Sequence, residues 1–224
     1  MKKFAPLLLL LFLTLTGCQL IMATLMMVKG TDEPPKYNIL SKGEKRVAIV
    51  PRSVYSHSME LQNAPREIAR HVHDILDDPS NTKNKKLRVV EPLKVEDWLD
   101  NHNSDFETFL EVGKDKSIQA DIVIGFDIIE FRIRDRLNSS LIQGNCVVEV
   151  RAIECATGKT LASETLTIVD PPNVPLSGSP QVESRFRPQF ISVVAQQIAA
   201  LFHHHNPNRI QRIDADNLEM HRIQ

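Results

Sequence analysis

The chain has 224 residues, 28 acidic against 27 basic side chains and 42% hydrophobic residues. Near-neutral charge argues against a nucleic-acid surface, and only eight glycines exclude collagen-like or low-complexity architecture. Beyond an apolar N-terminal run, roughly 200 residues remain, enough for one domain with a real core.

Lys2 and Lys3 precede an apolar run over 5–13 and then small and polar residues, the three parts of an export signal. Leu15-Thr16-Gly17-Cys18 follows, and this tetrapeptide resembles the lipobox of bacterial lipoproteins. The resemblance implies cleavage before Cys18 and acylation of its sulfur and new amine, palmitate among the acyl chains. Each buried methylene is worth about 0.8 kcal/mol, so several chains anchor stably where one is marginal. Gln19, rather than Asp, comes next, which in such lipoproteins implies the outer membrane, on its periplasmic face. The alternative is an inner-membrane signal anchor, since 5–28 has no charged residue and is long enough to span a bilayer. Pro6 and the Gly17-Cys18 break stand against it. Either way the two lysines stay cytoplasmic and the remainder is exported. Residues 20–28 remain apolar, either lying in the headgroup region or against the domain, or left over from the signal. The stretch 29–35, with Gly30, Pro34 and Pro35, is a hydrophilic linker. The expected division is a signal peptide over 1–17, an anchor, apolar segment and linker over 18–43, a periplasmic domain over 44–205, and a polar tail over 206–224.

Within the domain, KRVAIVP (45–51) reads as a buried strand. Leu61, Ala64, Ile68, Val72, Ile75 and Leu76 then recur at three and four, predicting a helix over 60–78 with Pro65 in its first turns. A strand over 87–91 and a short helix over 95–101 follow, and Ser104 with Glu107 forms a capping box that opens another helix through about 112. ADIVIGFDI (120–128) is apolar on both faces apart from Asp127, as a central strand is. After it, Glu130, Arg132 and Arg134 alternate with Ile129, Phe131 and Ile133, so the inward parity switches near 128–129 and predicts a bulge. Residues 138–140 turn the chain into a strand over 141–154 with Cys146, Val148, Val150 and Ala152 inward. A turn at 156–159, with Gly158 supplying positive φ, leads to a third meander strand over 160–169. The stretch 170–188 holds five prolines and reads as a long loop, either mobile or functional. A closing helix is predicted over 189–202. The order β-α-β-α-α-β-β-β-α gives an α+β fold, helices on a mixed sheet.

Chemistry is sparse. Gly158-Lys159-Thr160 matches the end of a phosphate loop, but Ile153 stands where the first glycine belongs and the context is a hairpin. Ser80 and Lys83 fit S-x-x-K without its companion motifs. His71 and His73 point about 200° apart on a helix, and His203, His204 and His205 splay at a helix end, where imidazolium suits the dipole. Cys146 and Cys155 lie in one strand about 30 Å apart with opposite parity, which forbids a disulfide and predicts two free, buried thiols. Asp127 is read as buried against an arginine partner, with a catalytic carboxylate as the alternative. No catalytic set, cofactor or metal is expected.

The opening KRVAIVP, the central ADIVIGFDI and VVEVRAIECATGKTLASET with a closing helix together resemble a group of periplasmic lipoprotein domains. The group comprises the curli-secretion channel subunit, the lipoprotein activator of a peptidoglycan synthase and the N-terminal domain of the Tol translocation protein. The resemblance covers roughly 45–205, and implies an anticodon-binding-like scaffold whose members act by binding different partners. It therefore implies a non-enzymatic accessory in envelope assembly or export, bound to an envelope protein or to itself, with Glu130, Arg132, Arg134 and the proline-rich loop as contact candidates. The rival readings are a cell-wall or lipid-acting enzyme and a secretion-pore subunit. No pair of lipid-facing hairpin strands is present to build a barrel, and the short linker keeps the domain near its membrane.

Overall fold

A computed structural model describes residues 32–41, 43–53, 63–102, 107–135, 138, 140–172 and 176–207. The strands are β1 (Lys45–Ser53), β2 (Leu87–Val89), β3 (Ile122–Arg134), β4 (Leu141–Glu154), β5 (Thr160–Asp170) and β6 (Leu176–Ser177). The helices are α1 (Ala64–Asp77), α2 (Pro79–Thr82), α3 (Pro92–Asn101), α4 (Phe109–Lys114) and α5 (Pro180–Ala200). Among the described residues no helix is long and apolar enough to cross a membrane.

The strands form one mixed sheet in the order β2-β1-β3-β4-β5, with β6 pairing the start of β4. β1 runs parallel to both β2 and β3, whereas β3, β4 and β5 form an antiparallel meander. Helices cover both faces of β1 and the first half of β3, which is why their sequences are apolar at even and odd positions alike. Val47, Ile49, Ile122, Ile124, Phe126 and Ile128 face α1 and α5 in the larger core. Ala48, Val50 and Val123 face α3 and α4 in a smaller one, with Trp98, Leu99, Phe109 and Val112.

The expected bulge is present. Pairing steps from Ile128 opposite Val148 directly to Glu130 opposite Val147, leaving Ile129 unpaired and 37% exposed. Buried parity therefore passes from Ile128 to Phe131 and Ile133 without breaking the strand. Along β4, Ile142, Gly144, Cys146, Val148, Val150 and Ala152 are buried, alternating with half-buried residues. Cys146 belongs to the larger core and Cys155 to the smaller, and both are free thiols. Burial pushes the Cys146 thiol up to about 12.

The strand expected over 87–91 ends at Val89, the short α2 and β6 are additional to the expected order, and three helix starts differ from the sequence expectation. The capping box is Thr108 with Glu111, four residues later than expected, since Glu111 accepts from the Thr108 backbone at 2.9 Å and α4 starts at Phe109. Ser104 lies outside the described residues, as does Leu61. The short helix starts at Pro92 rather than 95, with proline in its first turn, where a missing N–H costs nothing. Most consequential, α5 starts at Pro180 and not at 189, so half of the proline-rich stretch is helix. The Ser179 side chain accepts from the Val182 backbone at 3.3 Å, Pro180 opens the first turn and Glu183 sits at its positive end. Pro188 inside α5 removes one N–H, but buried Phe186 and Phe190 on either side hold the helix against the sheet.

Candidate interaction face

Among the described residues, no helix covers one sheet face beyond the ends of α3 and α4. Across β3, β4 and β5 the register makes rows: Asp127, Glu149, Thr165; then Glu130, Val147, Thr167; then Arg132, Asn145, Val169. Ser163, Thr165, Thr167 and Val169 are exposed along β5, the strand at the sheet edge. This is the alternating pattern of a sheet with one wetted side.

Asp127 marks where the cover stops. Its side chain is 3% exposed, and both carboxylate oxygens are engaged: Arg52 Nε donates to Oδ1 at 2.5 Å, and Arg52 Nη2 and Arg151 Nη2 donate to Oδ2 at 3.0 and 2.5 Å. The hydrogen bond from Arg52 to Asp127 holds that guanidinium above its ordinary pKa. The two guanidinium groups lie 4.8 and 5.5 Å from the centre of the Phe109 ring, inside the range of cation–π attraction. Phe109 reaches them because Gly125 leaves room: a Cβ there would sit 2.3 Å from the ring. A carboxylate satisfied on both oxygens and sealed by an aromatic ring is built as a structural clamp joining β1, β3 and β4.

Further along β3, Arg132 Nε donates to Glu130 at 2.5 Å, and this pair lies in the bare rows. Arg134 is placed differently: it binds Glu183 of α5 and ties the strand end to that helix. The sequence-derived trio is therefore two residues on the face and one at its border. Cys18 lies outside the described residues.

The histidines gather elsewhere. His71, His203, His204 and His205 line an open groove of about 640 Å³ with Asp32 and Lys83. Among the described residues no three histidines, cysteines or carboxylates are placed to hold a metal ion. His203 is buried, its Nδ1 donating to the His204 carbonyl at 2.6 Å, and burial lowers its pKa from 6.5. A histidine harder to protonate folded than unfolded gives stability that is complete above pH 6.5 and lost as pH falls through the lower, folded value. The urea midpoint is expected to fall below pH 6.5, and His203→Gln to flatten that slope relative to wild type.

No family model matches the chain, and no curated protein matches it. Among solved structures it is similar to the PelC dodecamer from Paraburkholderia phytofirmans, at 14% identity and TM-score 0.43, over 78% of this chain and 98% of that one. It is also similar to lipoprotein GNA1162 from Neisseria meningitidis, at 14% and 0.39, over 69% and 98%. The LpoB C-terminal domain from Salmonella enterica matches at 12% and 0.35, over 57% and 84%. Of these three, GNA1162 is named as a lipoprotein.

Arg52, Arg151 and Phe109 did not stand out in the sequence. A hairpin folded about Asn138 puts 127 opposite 149 and so brings Arg151 within one row of Asp127; that signal was available. Arg52 arrives through the parallel β1–β3 pairing, which no local pattern encodes.

Proposed function

We propose that this protein is a lipoprotein acylated at Cys18 and held at the periplasmic face of the outer membrane. There it acts without catalysis as an accessory in envelope assembly or export. It works by binding a protein, either another envelope component or a second copy, through the bare face of β3, β4 and β5. The observation that supports this is the set of rows beyond Asp127, where the Glu130–Arg132 pair adjoins exposed Thr167 and Val169 on an 11-residue edge strand. Long edge strands with alternating side chains accept further strands or flat protein surfaces.

A photo-crosslinking residue at position 167 in intact cells is expected to give one discrete adduct, and the same residue at position 116, in the α4–β3 turn, none. Arg132→Glu should cut the yield of the adduct several-fold. Equal, diffuse labelling from both positions would remove this face from consideration. Mass spectrometry of the same purified protein reads the anchor: a mature N-terminus at acylated Cys18 is expected, and an intact Met1 with a bare thiol would defeat that part.

A further inference from the structure

Arginines elsewhere in the described chain are paired: Arg52, Arg66, Arg70, Arg132, Arg134, Arg151 and Arg187 each meet a carboxylate. Arg46 and Arg88, on β1 and β2, have no such partner among the described residues. Arg46, Lys85, Arg88 and Lys94 line one open groove of about 440 Å³ together with Asp77 and Glu91. Among the described residues none of the four has a side-chain hydrogen bond or ion pair. Four cations against two carboxylates leave the groove positive, and exposed Lys83 and Lys86 flank it. Leu93, next to Lys94, is 67% exposed, the most exposed large apolar side chain in the described chain.

The incoming segment touches β5 through Lys36 and Tyr37, which bind Glu164, and then reaches this surface. Asp32, the first described residue, lines the neighbouring groove with Lys83. Asn84, between Lys83 and Lys85, donates through its side-chain amide to the carbonyls of Leu40 at 2.7 Å and Gly43 at 3.0 Å. The incoming segment is thus stitched to the loop that carries the lysines. β2 and β5 are the two opposite edges of the sheet.

We propose that Lys83, Lys85, Lys86, Arg88 and Lys94, with Leu93 among them, dock on the anionic lipid phosphates of the bilayer that holds the anchor. The domain then stands with its β2 edge on the membrane and presents the β5 edge outward. This rests on the anchored reading above. A basic residue on an edge strand, here Arg88 on β2, also discourages strand pairing, but that role has no dependence on lipid charge.

The test uses the acylated full chain bound to vesicles of phosphatidylcholine alone or of phosphatidylcholine with phosphatidylglycerol, probed by a lysine-acetylating reagent and mass spectrometry. On the anionic vesicles Lys83, Lys85, Lys86 and Lys94 are expected to react about tenfold more slowly than on the neutral ones. Lys159, in the β4–β5 turn, should be unchanged, and molar salt should abolish the difference. The variant Lys85→Glu with Arg88→Glu, both at exposed positions, should lose protection at Lys83 and Lys94. Equal rates on the two vesicles overturn the proposal while leaving the anchor intact. Protection on neutral vesicles after adding inorganic phosphate also overturns it, assigning the groove to a soluble anion. Protein that does not float with either vesicle overturns the anchored reading and this one with it.

Discussion

Asp127→Ala is expected to lower folding stability by about 3 kcal/mol, the low end of the range for removing one member of a buried ion pair. The size follows from what is left behind. Arg52 and Arg151 would face each other under Phe109 without the carboxylate that separates them, and Arg151 Nε already has no partner among the described atoms. Their side chains are 26% and 33% exposed, so water relieves part of the loss and the upper end of the range is not reached. For a domain of this size that is a fall in Tm of roughly 6–12 °C. Asp127→Asn should rescue little, because its amide N–H₂ would point at a guanidinium. Replacing all three at once, Arg52→Met, Asp127→Leu and Arg151→Met, should return stability to within about 1 kcal/mol of wild type, since it removes the charges as well as their partner. Urea titration decides: a single variant within 1 kcal/mol of wild type, or a triple variant as damaged as the single one, would refute the clamp.

Phe190→Ala is expected to cost about 3–5 kcal/mol, with the cooperative unit still intact. Phe190 is fully buried where α5 crosses the meander, its ring centre 5.4 Å from that of Phe131 and 5.9 Å from that of Phe186. The backbone of Gly144 lies directly beneath: a Cβ on that glycine would fall 2.4 Å from the Phe190 ring. Gly144→Ala should therefore destabilise by about 1–3 kcal/mol through overpacking. The two sites share one space, so their costs cannot add. In the double variant the alanine methyl at 144 enters volume vacated by the ring, and the sum of the single losses should exceed the double loss by about 1 kcal/mol. Strict additivity in denaturant unfolding would show that the ring and the glycine are not in contact in solution.

The parts of this fold that were legible in sequence are those written as local alternation. The switch of inward parity after Ile128 exists because a bulge must leave a trace in a period-2 pattern, and the opposite faces of Cys146 and Cys155 follow from parity alone. What was not legible depends on distant partners. Thr108 with Glu111 and Ser104 with Glu107 fit the same local rule; the helix that starts behind Thr108 places Phe109 over Gly125 in β3, a contact no local pattern encodes. Proline density made 170–188 read as loop, although Pro180 at a first turn behind Ser179 is a start signal and Phe186 continues the apolar stripe of the helix. On the interaction face, Glu130 and Arg132 were visible as outward residues of an alternating strand. Their border was not, since Arg134 turns to Glu183 on a helix that had been expected to begin later. The cationic groove was hidden for the same reason: Arg46 and Lys94 come from β1 and α3 to join Lys85 and Arg88.

The N-terminal segment is fastened well before the first strand begins. Glu33 exchanges backbone hydrogen bonds with His205, the Tyr37 backbone donates to Leu201, and the Tyr37 hydroxyl binds Ser163 and Glu164. If Cys18 carries an acyl anchor, the chain between anchor and domain is counted to Asp32 and not to Lys45. Its contour length is at most about 50 Å instead of nearly twice that. An anchor at Cys18 would then have its working radius set by a clasp in the folded domain, and loosening that clasp would let out extra line without altering a residue between anchor and domain.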